Sequence, residues 1–214
     1  MSSGHTICFD LGRVLVRICG SWREAHAAAG LGADVVVLDE LPAMQRRAVG
    51  ERVHAFEVGG LTVDAFVAEV AELLGHPAPA VAAMLDAWLC GAYPGAVTLL
   101  DDLAANGHRL VCLSNTNARH WALMAGWSRE ADRLWPRFHA RFASHELCAR
   151  KPDAAIYAAV EARLTVAPHE ITFFDDLPEN VAAARARGWR AVEVAARDEP
   201  VREMRAWLAA HGLL

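Results

Sequence analysis

The chain has no stretch apolar enough to span a bilayer. Its most apolar run, residues 78–92, is interrupted by Asp86 and falls short of the roughly 20 residues that a spanning helix needs. The start, Met1-Ser2-Ser3-Gly4-His5, lacks a basic region followed by an apolar core, so no secretory leader is expected and the location expected is cytoplasmic. Positive charge is not in excess either. Lys and Arg number 21 against 26 Asp and Glu, a net −5 that argues against a nucleic-acid partner. An anionic substrate would therefore need local positive charge at its site. The five cysteines (Cys8, Cys19, Cys90, Cys112, Cys148) include no Cys-x-x-Cys pair and read as reduced thiols. None of the ten histidines forms a His-x-x-x-His pair with an acidic neighbour, which argues against zinc. Repeats and low-complexity segments are also missing.

What is present is an ordinary globular balance, 54% hydrophobic and 22% charged over 214 residues. That length allows one large domain or a domain carrying an insertion. Short apolar runs at 6–9, 109–113, 138–143, 171–174 and 190–194 read as strands. Helical periodicity follows at 94–106, 152–164, 178–187 and 200–211, each beginning near a proline. This alternation predicts an α/β fold, a Rossmann-like parallel sheet covered on both faces. One region breaks it. Residues 22–29, 42–56, 63–74 and 79–89 read as four helices placed after the first strand, able to bury their apolar stripes on one another. The expected division is therefore a core of residues 1–16 and 93–214 and a helical cap of residues 17–92. Residues 115–137, with Trp121, Trp127 and Trp135, suggest a long ordered excursion.

Ligands of open parallel sheets bind outside the carboxyl ends of the strands. The polar residues expected there are Asp10, Ser114, Asp175 and Asp176, with Lys151 just ahead of the helix at Pro152. Three crowded carboxylates repel unless a cation sits among them, and an all-oxygen donor set favours Mg²⁺. A metal ion, a lysine and a hydroxyl together make a phosphate clamp. Asp10 is then free to attack phosphorus.

The motifs Phe9-Asp10-Leu11-Gly12, Leu113-Ser114-Asn115-Thr116, Arg150-Lys151-Pro152 and Phe173-Phe174-Asp175-Asp176 with Asn180 resemble the haloacid dehalogenase superfamily. They occur in its order, and the insertion is similar to its first type of helical cap. The wording is closest to the sugar-phosphate branch typified by a glucose-1-phosphate phosphatase. The resemblance implies Asp10 as nucleophile and metal ligand, with the Gly12 carbonyl as a second ligand. It also implies Ser114 and the Asn115 N–H as phosphate holders and Lys151 as the neutralising cation. Asp176 with Asp175 would complete the metal site, and Asn180 would support that loop. A small phosphorylated substrate, a Mg²⁺ cofactor and a monomer or homodimer follow as expectations.

Gly12 departs from the superfamily pattern, which carries an acid two residues after the nucleophile. That acid protonates the leaving group, an effect worth about 10²–10⁴ in rate. Its absence leaves three readings: a substrate with a good leaving group such as an anomeric oxygen or an acyl group, a proton from a histidine or acid of the cap, or a slow or inactive protein; the sugar-phosphate branch it resembles shares the glycine. In the cap, Arg17, Arg23, His26, His54 and Glu57 are candidates to face the site, with Arg13 beside the hinge. Trp22, Phe56, Phe66 and Trp88 read as core at helical spacings. Two further functions stay in view. A 2-haloacid dehalogenase would not need the Asp175-Asp176 pair, and a non-catalytic binding protein would keep the fold alone.

Overall fold

The structure, a computed structural model, describes residues 5–32 and 41–214, so the reading of the first four residues lies outside the described set. From the N-terminus come β1 (Thr6–Phe9), β2 (Val16–Ile18), α1 (Trp22–Ala28), α2 (Ala43–Glu57), α3 (Val63–Leu74), α4 (Ala78–Ala87) and β3 (Leu89–Ala92). Next are α5 (Ala96–Ala105), β4 (Arg109–Ser114), α6 (Ala118–Ala125), β5 (Ala140–Ala143), α7 (Ser144–Leu147) and α8 (Ala154–Leu164). The chain closes with β6 (Ile171–Asp175), α9 (Pro178–Ala186), β7 (Arg190–Glu193) and α10 (Pro200–Ala210).

Five strands form one parallel sheet in the order β5-β4-β1-β6-β7. Successive side chains turn to opposite faces, as strand geometry requires. Ile7, Phe9, Leu110, Cys112 and Phe174 meet α5 and α10 through Leu99, Leu103, Met204 and Leu208. Cys8, Val111, Leu113 and Phe173 meet α8 and α9 through Ile156, Tyr157, Val160 and Val181. Helices on both faces leave all of β1 buried, which is why central strands read as unbroken apolar runs. Phe9 lies in register with Cys112 of β4 and Phe174 of β6. Asp10, Ser114 and Asp175 therefore leave the sheet side by side at one edge.

The helices α1 to α4 enclose an apolar cluster of their own, including Ala25, Val49, Phe56, Phe66, Val70, Met84 and Leu85. Their ends carry the expected signals. The Thr62 hydroxyl accepts from the Ala65 N–H at 3.2 Å to start α3, and Gly75, at φ 68°, ends it. Among the described residues no helix is long and apolar enough to cross a membrane. All five cysteines are free, with the Cys19 and Cys90 sulfurs 3.8 Å apart at the root of the insertion.

Two sequence expectations need correction. The helix expected over 79–89 stops at Ala87, and Leu89–Ala92 instead pairs antiparallel with β2. This ribbon, formed by both connections to the inserted helices, was not expected, because three or four half-buried residues have too little period to read. The strand expected over 138–143 begins at Ala140, since Trp135–Arg137 forms a 3-10 turn and Phe138 is drawn into the core. The stretch 115–137 is ordered, as expected, and holds α6 and two 3-10 turns, with Trp121 edge-on to Trp135 at 4.5 Å.

The inserted helices touch the sheet layer closely at Gly59, whose φ of 76° is left-handed. A Cβ there would overlap the backbone carbonyl of His145 in α7. Gly59→Ala is therefore expected to destabilise the protein by about 1–3 kcal/mol in urea titrations. Gly50→Ala, in an exposed turn of α2 with open space around it, should gain up to about 1 kcal/mol.

Candidate active site

Asp10 follows β1, its N–H donating to the Phe174 carbonyl at 2.8 Å. Lys151 reaches it from the turn before α8, with Nζ 2.8 Å from Asp10 Oδ1 and 2.6 Å from Asp175 Oδ2. Its third N–H donates to the Leu113 carbonyl at 3.0 Å. All three protons of the ammonium are thus directed at protein oxygens, and the side chain is buried. Asn115 holds this lysine from behind. Its Oδ1 accepts from the Lys151 N–H at 2.8 Å, and its Nδ2 donates to the Lys151 carbonyl at 2.9 Å. Asp175 Oδ1 accepts from the Leu177 N–H and from Asn180 Nδ2, both at 2.9 Å, while the Tyr157 hydroxyl donates to the Asn180 carbonyl. Asp176 sits at the mouth, ion-paired with Arg197 and 4.0 Å from Arg13 Nη1. Ser114 ends β4, buried beside this group, and Gly12 lies one turn beyond Asp10.

The expected residues thus converge. Carboxylate oxygens of Asp10, Asp175 and Asp176 lie within 4.8 Å of one another, and all three residues are buried. Burial pushes the Asp10 carboxyl up to about 7, opposed by Lys151 and reinforced by Asp175 and Asp176. Burial alone would lower the Lys151 ammonium, but the two carboxylates outweigh it and hold it above its ordinary value. Asp10 therefore remains short of positive charge even with Lys151 in contact. A hard divalent cation fits this set: the donors are all oxygen, negative charge is in surplus, and the buried Asn180 Oδ1 has no hydrogen-bond partner.

Over this edge the inserted helices close a cavity of about 230 Å³. Gly12, Ser114 and Asn115 line its inner end. Trp22, Phe56, Phe66 and Trp88, expected only as core, line its outer wall as well as packing in the helical cluster. Of the charged candidates, Glu57 alone lines the cavity, 3.0 Å from Arg150 Nη1. His54 stands beside the same arginine, Arg17 donates to the Cys90 carbonyl, His26 is buried, and Arg23 is exposed. His120 joins the two layers: one ring nitrogen bonds the Leu85 carbonyl of α4 at 2.8 Å and the other meets Asn117 at 3.1 Å.

Burial holds the His120 imidazole below its ordinary 6.5, against smaller opposing pulls from the Leu85 carbonyl and Asp86. The folded state therefore prefers neutral His120. The stability this gives is present above the unfolded pKa and lost as pH falls through it towards the folded one. Urea midpoints should drop between pH 7.5 and 5.5 more in the wild type than in His120→Gln.

A profile of the family described as haloacid dehalogenase-like hydrolase matches residues 5–188. The chain belongs to this family. A phosphoglycolate phosphatase of Rhodospirillum rubrum is 33% identical over 196 residues, covering 85% of this chain and 76% of its own length. An enolase-phosphatase E1 of Serratia proteamaculans is 29% identical over 125 residues, 58% of this chain. The chain spans about half of that relative's length, 46%. Among solved structures, the HAD family enzyme BT-2542 of Bacteroides thetaiotaomicron, in complex with magnesium and inorganic phosphate, superposes with a TM-score of 0.71 at 20% identity. That match covers 90% of this chain and 95% of the other. An L-2-haloacid dehalogenase of Xanthobacter autotrophicus, with chloropropionic acid covalently bound, gives 0.61 at 21% identity, covering 90% and 78%. Both structural likenesses speak to the fold alone.

Two features of this haloacid dehalogenase-like hydrolase escaped the sequence reading. Arg197, which pairs with Asp176, sits in the loop after β7. The rule that found Asp10, polar residues beyond the carboxyl ends of strands, points there too. Lys151 is the only lysine in the chain, amid twenty arginines, a stronger signal than its place before a proline. An arginine's broad fork would not fit where one compact ammonium serves two carboxylates and a carbonyl.

Proposed function

We propose that the protein is a Mg²⁺-dependent phosphatase of small phosphorylated metabolites, acting through a phosphorylated Asp10. The observation that carries this reading is the convergence of three buried carboxylates with one buried ammonium at the carboxyl edge of the sheet. A dehalogenase attacking carbon has no need of the second and third acids. The magnesium and phosphate bound to BT-2542, and the names of the two relatives, point the same way.

In this reading a carboxylate oxygen of Asp10 attacks phosphorus, and the bond from phosphorus to the leaving oxygen breaks with its electron pair going to that oxygen, which takes a proton from water to leave as the alcohol. Water then adds to phosphorus and gives up a proton to solvent, the bond to Asp10 breaks, and phosphate leaves with the carboxylate restored. Lys151, held by Asn115 and Asp175, orients Asp10 and favours its ionised form against the burial that opposes it. Because its three N–H groups are engaged, it acts on phosphate as a nearby charge, or by giving up one partner. The Ser114 hydroxyl and the Asn115 N–H receive phosphate oxygens. The cation is assigned to Asp10, the Gly12 carbonyl and Asp176, with Asp175 and Asn180 bracing the loop; when bound it offsets the charge of the phosphate against the carboxylates. Residues 17–92 serve as a cap that excludes water, over a core of residues 1–16 and 93–214. A cytoplasmic location is part of the same reading.

Phosphate release from acetyl phosphate or a small ester should require Mg²⁺ and stop with EDTA. Hydrolysis indifferent to EDTA would remove the metal from this account. A panel with no turnover at all would favour the non-catalytic alternative.

A further inference from the structure

In-line displacement puts the leaving oxygen on the side of phosphorus away from its attacker. Gly12, Ser114 and Asn115 line the inner end of the cavity, and Asp10 stands outside the lining. With phosphate held by Ser114 and the Asn115 N–H, Asp10 attacks from the core side and the leaving oxygen points into the cavity. A side chain that protonates this oxygen can then come only from the cavity wall, since Gly12 has none to offer.

Among the described residues the wall carries six polar side chains: Glu57, Ser114, Asn115, Thr116, Asn117 and His120. The Ser114 and Thr116 hydroxyls can hydrogen-bond a substrate, and the two amides likewise, but none of the four titrates near neutral pH. Both ring nitrogens of His120 are engaged, by the Leu85 carbonyl and by Asn117. Glu57 is the one that remains, and three features favour its protonated form. It is the last residue of α2, where the helix dipole disfavours a carboxylate. Its Oε2 is buried with no hydrogen-bond partner, because Arg150 Nη1, 3.0 Å away, does not align an N–H on it and also faces His54 Nδ1 at 3.3 Å. Burial raises the carboxyl above its ordinary value against the pull of Arg150, His54 and Lys151. The pull of Lys151, which touches Asp10, also shows that Glu57 stands within electrostatic reach of the nucleophile's partner. Two residues on, Gly59 packs on the His145 carbonyl of α7, so the end of α2 that carries Glu57 is seated on the core.

We infer that Glu57 is the acid of the reaction, protonating the leaving oxygen from the cavity side while Asp10 attacks from the other. This rests on the phosphatase reading above and goes beyond it, with Glu57 in place of water as the proton source. As the bond from phosphorus to the leaving oxygen breaks, its electron pair stays on that oxygen, which takes the Glu57 proton and departs as the alcohol. The Glu57 carboxylate then takes the proton shed by the water that adds to phosphorus, and the acid is restored. Esters of weakly acidic alcohols, sugars included, gain most from this help, whereas acetate leaves as an anion and needs none.

The test compares kcat/KM with Mg²⁺ for the wild type and Glu57→Gln on acetyl phosphate, phenyl phosphate and glucose 1-phosphate. This constant covers the steps through departure of the leaving group, so later hydrolysis at Asp10 does not enter it. Glu57→Gln should lose about 10²–10⁴-fold on phenyl phosphate and glucose 1-phosphate and keep its rate on acetyl phosphate. Glutamine keeps the shape of the side chain, and a loss through packing or a displaced Arg150 would fall on all three substrates alike. Equal loss on acetyl phosphate, or no loss on the other two, would overturn the inference and leave the phosphatase reading standing. So would a wild type that turns over acetyl phosphate alone. No wild-type turnover on any of the three would take down both.

Discussion

Asp10→Asn is expected to lower phosphate release by a factor of about 10⁴ or more while the protein stays folded. The amide has nearly the shape of the carboxylate but cannot attack phosphorus. It also relieves crowding, because burial already works against a charge at this position and Asp175 and Asp176 add to the repulsion. Lys151 keeps its contacts with Asp175 and the Leu113 carbonyl. The urea midpoint of Asp10→Asn should therefore equal or exceed that of the wild type. Lost activity together with lost stability would mean that Asp10 is structural instead.

Lys151→Met should act in the opposite way on stability. The lysine is 1% exposed and its ammonium touches two buried carboxylates, so solvent does little to screen the loss. Removing one partner of a buried ionic group leaves uncompensated charge, which costs about 3–5 kcal/mol. The Leu113 carbonyl also loses its donor. Part of this loss should return as Mg²⁺ is added, because a second cation can offset Asp10 and Asp175. Turnover should fall by about 10²–10⁴ even at saturating Mg²⁺, since Asp10 loses the group that holds it in place. Urea midpoints with and without Mg²⁺, read beside initial rates, separate the two effects. An unchanged midpoint would mean that the carboxylates are compensated from elsewhere.

The sheet was legible because β1, β4 and β6 are buried on both faces and end abruptly in polar residues. Asp10, Ser114 and Asp175 mark those ends directly, and the register that sets them side by side follows from parallel pairing of the three strands. The ribbon of Val16–Ile18 and Leu89–Ala92 was not legible, because its residues are half exposed and Leu89 continues the pattern of α4. The site aromatics were only half legible. Helical spacing marks Phe56 and Phe66 as buried, but it cannot tell a side chain buried among helices from one buried against a cavity, and these are both. Arg197 lies 21 residues from Asp176 in a loop with no period, so only the three-dimensional turn after β7 brings them together. The work of Asn115 was read as one N–H, whereas its amide also clamps Lys151 from both sides.

In the proposed mechanism Asp10 carries the phosphoryl group. An acyl phosphate survives brief exposure to acid, so the direct measurement is mass spectrometry of protein quenched in acid during turnover of phenyl or acetyl phosphate with Mg²⁺. One added phosphoryl group is expected, mapped to the peptide containing Asp10 and absent from Asp10→Asn. Steady turnover with the phosphoryl group on another residue, or turnover retained by Asp10→Asn, would contradict it.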